Sequence, residues 1–74
     1  MKKIFLCQYG SYFYFFSKEN NEISRHEDPK CLTFAGYLPF EDKDMIPNMT
    51  WQPAEIRAGY KLAFEKLEKV LPLL

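Results

Sequence analysis

With 74 residues and 8.8 kDa, the chain has room for a single domain, residues 1–74, whose core buries only about 60% of its extended-chain surface. Ten Lys plus Arg balance ten Asp plus Glu, so no global field draws it to nucleic acid or to an anionic membrane. Aromatic residues at 18% exclude a disordered chain, and the longest apolar runs, Ile4–Cys7 and Tyr12–Phe16, fall far short of the ~20 residues that cross a bilayer.

Met1-Lys2-Lys3 imitates the start of a signal peptide, but the apolar stretch behind it breaks at Gln8-Tyr9-Gly10, so the chain is expected to be cytoplasmic. Cys7 and Cys31 are then expected to stay reduced. Lys2–Gln8 and Tyr12–Ser17 are β-branched or aromatic segments joined by Tyr9-Gly10-Ser11, where Gly10 supplies the positive φ of a tight hairpin. After the turn at 18–21, Glu22–His26 is expected to return as a third strand, placed at an edge by its polarity. Glu27–Lys30 is a turn by composition, and Cys31–Ala35 is expected as a fourth short strand ending at Gly36, which completes a meander over 2–36.

Residues 37–52 follow neither period two nor the helical period, and Pro39 and Pro47 interrupt any regular element, so they are expected to form a long loop. A helix is predicted over 53–71. Pro53 suits a first turn, Glu55 lies near the positive end of the dipole, and Pro72 stops the element. Ile56, Tyr60, Ala63, Phe64, Leu67 and Val70 or Leu71 form one apolar stripe. Gly59 weakens a helix by about 1 kcal/mol relative to Ala, so with Ala63 it is expected to permit close approach to an aromatic sheet.

The hairpin is apolar on both faces. Side chains alternate along a strand, so Tyr12, Tyr14 and Phe16 point one way and Phe13 and Phe15 the other. The first strand divides likewise, with Ile4 and Leu6 opposed to Phe5, Cys7 and Tyr9. One helix covers one face, which leaves three candidates for the second: the 37–52 loop folding back, a second copy of the chain in a homodimer, or a different partner. The loop is the expected cover, since a loop rich in apolar residues is more often packed than presented.

No motif identifies a reaction or a ligand. His26, Cys7 and Cys31 are three borderline or soft ligands that still need a fourth from Glu27, Asp28 or water, and their spacing matches no zinc signature, so no metal and no cofactor is expected. Cys7 with His26 as base lacks a helix N-terminus or basic cluster to lower the thiol pKa. Glu41, Asp42 and Asp44 resemble a solvated acidic turn around Lys43, and the three glycines are isolated, so no phosphate-cradling loop exists.

The predicted fold is α+β, a small antiparallel sheet of three to four strands followed by one C-terminal helix on one face. The expected function is a non-enzymatic protein–protein interaction module, such as a small bacterial or phage regulator or inhibitor that occupies a partner's surface. Its expected contacts are Phe40, Glu41, Asp42, Asp44, Met45, Ile46, Met49 and Trp51, apolar anchors rimmed by charge, plus any uncovered hairpin aromatics. The alternative is single-stranded nucleic-acid binding, with Tyr12, Tyr14 and Phe16 stacking bases beside Lys18.

Overall fold

The computed structural model describes residues 3–74; Lys2, expected to open the first strand, lies outside them. Four strands, β1 (Lys3–Tyr9), β2 (Tyr12–Ser17), β3 (Glu22–His26) and β4 (Phe34–Pro39), form an antiparallel sheet in the order β1-β2-β3-β4. A 3₁₀ helix (Phe40–Asn48) and a long helix, α1 (Ala54–Val70), follow, and a 3₁₀ turn over Leu71–Leu73 ends the chain. The architecture is the expected α+β arrangement, with α1 packed on one face of the sheet.

The β1–β2 hairpin turns through Gly10 at φ +58°, as its sequence requires. Its register pairs Ile4 with Phe16, Cys7 with Tyr14 and Tyr9 with Tyr12, and slips by one residue between Phe5 and Cys7. This β-bulge alters the expected alternation: Leu6 and Cys7 both enter the core under the helix, where strict alternation separates them. A second irregularity between Arg25 and His26 pairs Arg25 with Gly36 and His26 with Phe34, leaving Ala35 as the extra residue of β4. Both edge strands are therefore kinked, which discourages edge-to-edge pairing with another sheet.

Two strand expectations are corrected. β3 is an inner strand, not an edge, because its polar residues find partners inside the sheet. Buried Arg25 donates from Nη2 to the Ala35 carbonyl at 2.8 Å and lays its guanidinium 4.5 Å over the Tyr12 ring. The fourth strand begins at Phe34 rather than Cys31 and runs through Gly36 to Pro39. Asp28 is the cause: its carboxylate accepts the backbone N–H groups of Lys30, Leu32 and Thr33 and the Thr33 hydroxyl, so residues 28–33 form a turn instead of a strand.

The helix follows its predicted stripe. Ile56, Tyr60, Ala63, Phe64 and Leu67 are buried against Leu6, Cys7, Tyr14, Phe16, Ile23 and Leu38. Pro53 occupies the N-cap position with extended ψ 148°, and Glu55 reaches across to accept the Ser11 backbone N–H at 3.0 Å. Gly59 is the point of closest approach: a Cβ there runs into the Tyr14 phenol ring, with Cε1 at 2.7 Å. Tyr14 is wholly buried and meets Tyr60 edge-on at 5.2 Å.

Residues 37–52 are not a loop on the second face. They finish β4, form the 3₁₀ helix and pack on the same side of the sheet as α1. The Phe40 N–H donates to the Asn21 carbonyl at 2.9 Å, which anchors the start of the 3₁₀ helix beside the β2–β3 turn. A 3₁₀ helix has three residues per turn, so Phe40, Lys43, Ile46 and Met49 share one side. Ile46 and Met49 are buried, Phe40 packs on Phe64 at 5.9 Å, and Lys43 reaches Glu68 at 3.8 Å.

Candidate functional site

With α1 and the 3₁₀ helix on one side, no element among the described residues lies over the other face of the sheet. The register puts Phe5, Phe13, Phe15, Ser24, His26, Phe34 and Tyr37 on this face. Successive rings meet across all four strands: Phe5 to Phe15 at 5.4 Å, Phe15 to His26 at 5.5 Å, His26 to Phe34 at 5.7 Å and Phe34 to Tyr37 at 6.3 Å. The first three contacts are edge-on, the arrangement favoured by ring quadrupoles.

The relief of the face follows from strand position. Phe5 on β1 is 54% exposed, and Phe34 and Tyr37 on β4 are 60% and 55% exposed. Between them Phe15 and Ser24 are buried, and His26 is only 2% exposed. The result is an apolar surface with raised rings along both edges and a low, ordered centre.

The centre is polar and carries one charge, the Lys3 ammonium. Lys3 Nζ donates to Ser24 Oγ at 3.2 Å and lies 3.5 Å from His26 Nε2, while Ser24 Oγ is 2.9 Å from the same ring nitrogen. Burial, reinforced by the Lys3 ammonium and opposed by Asp28, holds the His26 pKa below its ordinary 6.5, so the ring is uncharged at neutral pH. A donor chain from Lys3 through Ser24 to Nε2 leaves the proton on Nδ1, which has no hydrogen-bond partner among the described residues. Serine and a neutral histidine at this spacing resemble a nucleophile and its base, but Ser24 is fully buried and no substrate atom reaches its hydroxyl.

The other expected sites are dispersed. Cys7 lies on the helix side of the sheet and His26 on the opposite side, so they do not form a nucleophile and base pair. Burial raises the Cys7 pKa, with Lys66 pulling weakly the other way, and a raised pKa opposes thiolate formation. Cys31 sits in the Asp28 turn, half-buried, near enough to Lys3 for the ammonium to pull its pKa down against the stronger effect of burial. Among the described residues no group of three or more His, Cys, Asp or Glu side chains gathers where a metal ion would need them.

The expected contact set on 37–52 is divided by the 3₁₀ helix. Ile46 and Met49 are core residues and Phe40 is half-buried, so these three are corrected from contacts to packing. Glu41, Asp44, Met45 and Trp51 remain exposed, with Asp42 half-buried, but no longer rim a shared apolar anchor. The nucleic-acid set is corrected too. Tyr14 and Phe16 are buried and half-buried Tyr12 is stacked under Arg25, all on the helix side, while Lys18 is exposed.

Alternation along β2 by itself places Phe13 and Phe15 on the uncovered face. It does not place Phe34 and Tyr37 there, because β4 begins three residues later than the sequence predicts. Their spacing, odd for strict alternation, becomes same-sided only through the bulge at Ala35. Compared with protein-family models, curated proteins and solved structures, the chain matches none of them. Among the described residues no helix is long and apolar enough to cross a membrane.

Proposed function

We propose that this chain is a non-enzymatic protein-interaction module that docks through the uncovered sheet face, occupying a partner's apolar surface as a small regulator or inhibitor does, in the cytoplasm. The observation that carries this function is the row of rings from Phe5 to Tyr37, exposed at both ends on a face that no element among the described residues covers. Three rings of roughly 200 Å² each, more than half exposed, present about 350 Å² of apolar surface. At ~25 cal/mol/Å² its removal from water contributes about 9 kcal/mol, and a partner of equal apolarity doubles that, against an association cost of about 4–15 kcal/mol.

A nucleic-acid partner fits this face less well. Among the described residues Lys3 is the only cation at a strand position on it, and its ammonium is already engaged by Ser24 and His26. Phosphate recognition needs several free cations and produces a steep loss of affinity with salt. The test is affinity capture by the wild-type chain, Phe34→Glu and Trp51→Glu, each at low and high salt. The expected result is a protein partner retained by wild type and Trp51→Glu, lost with Phe34→Glu and insensitive to salt. Retention by Phe34→Glu, or captured nucleic acid that salt releases, overturns the proposal.

A further inference from the structure

We infer that the occupant of this face is a partner-protein surface that sets one acidic side chain, Asp or Glu, among apolar ones, with its carboxylate seated on the Lys3 ammonium. This rests on the proposal that the face is a docking surface, and it names the chemistry of the partner. The sheet builds the seat. Lys3 stands on the same side of β1 as Phe5, and its ammonium is drawn inward onto Ser24 Oγ at 3.2 Å and to within 3.5 Å of His26 Nε2, both on β3. Phe5 and Phe15 stand on β1 and β2, and beyond Ser24 and His26 stand Tyr37 and Phe34 on β4. A half-buried cation therefore lies within an apolar surface, where a docked partner covers it.

Among the described residues no carboxylate neutralises that charge. The ion pair they do form is Lys43 with Glu68, on the helix side of the molecule. Glu22 shares a row with Lys3 through Ser17, two strands away, and makes no ion pair with it. The Asp28 carboxylate is taken up by the N–H groups of Lys30, Leu32 and Thr33 and by the Thr33 hydroxyl. Ser24 and His26 hold the ammonium in place but bring no negative charge, and of its three donors at least one is left for an incoming acceptor.

Desolvation makes this charge a selector. A wholly apolar partner takes the ammonium out of water without a counter-charge, and a cationic one adds repulsion. A carboxylate at the same point makes a charge-assisted hydrogen bond. Exposed rings stand on both outer strands, Phe5 on β1 and Phe34 and Tyr37 on β4, so the acid comes from within an apolar surface and not from a run of charge. A single pair enclosed in this way is screened little by salt, in keeping with salt-insensitive docking.

A random-sequence peptide library displayed on phage is the probe, selected on the full chain and on Lys3→Glu, with the affinities of enriched peptides measured by fluorescence anisotropy. Lys3→Met, Lys3→Glu and Phe34→Glu are checked for an unchanged far-ultraviolet circular dichroism spectrum. The expected result is that wild type enriches peptides with one Asp or Glu among apolar residues, all lost in Phe34→Glu. Their dissociation constant rises about thirtyfold or more in Lys3→Met, and equally when the peptide's acid becomes its amide, a change that leaves the protein untouched. On Lys3→Glu, Lys or Arg takes the place of the acid in the enriched peptides. Peptides that enrich without an acid, or that bind Lys3→Met as tightly as wild type, overturn the carboxylate alone if Phe34→Glu still loses them, and the docking face stands. A library that yields no peptide lost in Phe34→Glu overturns both.

Discussion

Replacing Gly59 by Ala should destabilise the protein, against the usual sign of that change. In an exposed helix interior Ala is worth about 1 kcal/mol over Gly. Here the new Cβ lands on Tyr14, with Oη and Cζ nearest and Cε1 at 2.7 Å, inside the ~3.5–4.0 Å of ordinary carbon contact. Tyr14 is fully buried and wedged against Tyr60, so its ring has no space to step aside. Overpacking of this kind costs about 1–3 kcal/mol, which leaves a net loss near 1 kcal/mol. The Tyr14 hydroxyl has no hydrogen-bond partner among the described residues, so Tyr14→Phe alone should be nearly neutral while removing the worst contact. Urea unfolding of wild type, both single variants and the double variant should therefore give a coupling of about 1 kcal/mol, the double variant recovering part of the loss. If Gly59→Ala stabilises by its helix propensity in both backgrounds, the close approach of helix and sheet is refuted.

Acid should weaken the fold through His26. Its folded pKa lies below 6.5 and its unfolded pKa near it, so between the two the unfolded chain binds more protons and stability rises with pH. The contribution is complete above about pH 6.5 and is lost as pH falls toward the folded value, so the urea midpoint should drop below pH 6.5 in wild type. The same window should be flat in His26→Gln; an equal drop in that variant refutes the assignment. Thiol labelling should separate the cysteines. Half-buried Cys31 should react with a maleimide in the folded protein while Cys7, buried beneath α1, reacts only on unfolding, and equal rates would contradict the packing of β1 against the helix.

The hairpin and the helix were legible in the sequence because each announces itself by a single period and a fixed punctuation: Gly10 between two aromatic runs, Pro53 and Pro72 around one stripe. Gly59 was legible as well, as an unfavourable residue that a close contact explains. Three things were not. β3 looks like an edge because Ser24, Arg25 and His26 are polar, and only their three-dimensional partners Lys3, Ala35 and Tyr12 make burial tolerable. The bulges at Leu6 and Ala35 change which side later residues occupy, and no local signal marks them. The 3₁₀ helix escapes tests for strand and α-helix periods because its inward row, Phe40, Lys43, Ile46 and Met49, repeats every three residues.

That row also explains why the second face stays open. α1 lies chiefly over β1 and β2, with less contact to β3, and it is too narrow to cover a sheet four strands wide. The strip over β4 on the helix side would expose Leu38 and the flank of Phe64 if nothing else lay there. The 3₁₀ helix follows β4 directly and fills that strip with Phe40, Ile46 and Met49. Completing one layer therefore consumes the inward apolar residues of 40–49 as well as the helix stripe. The rings of the opposite face have no covering element among the described residues. Pairing with another apolar surface is the remaining way to shield Phe5, Phe34 and Tyr37 from water.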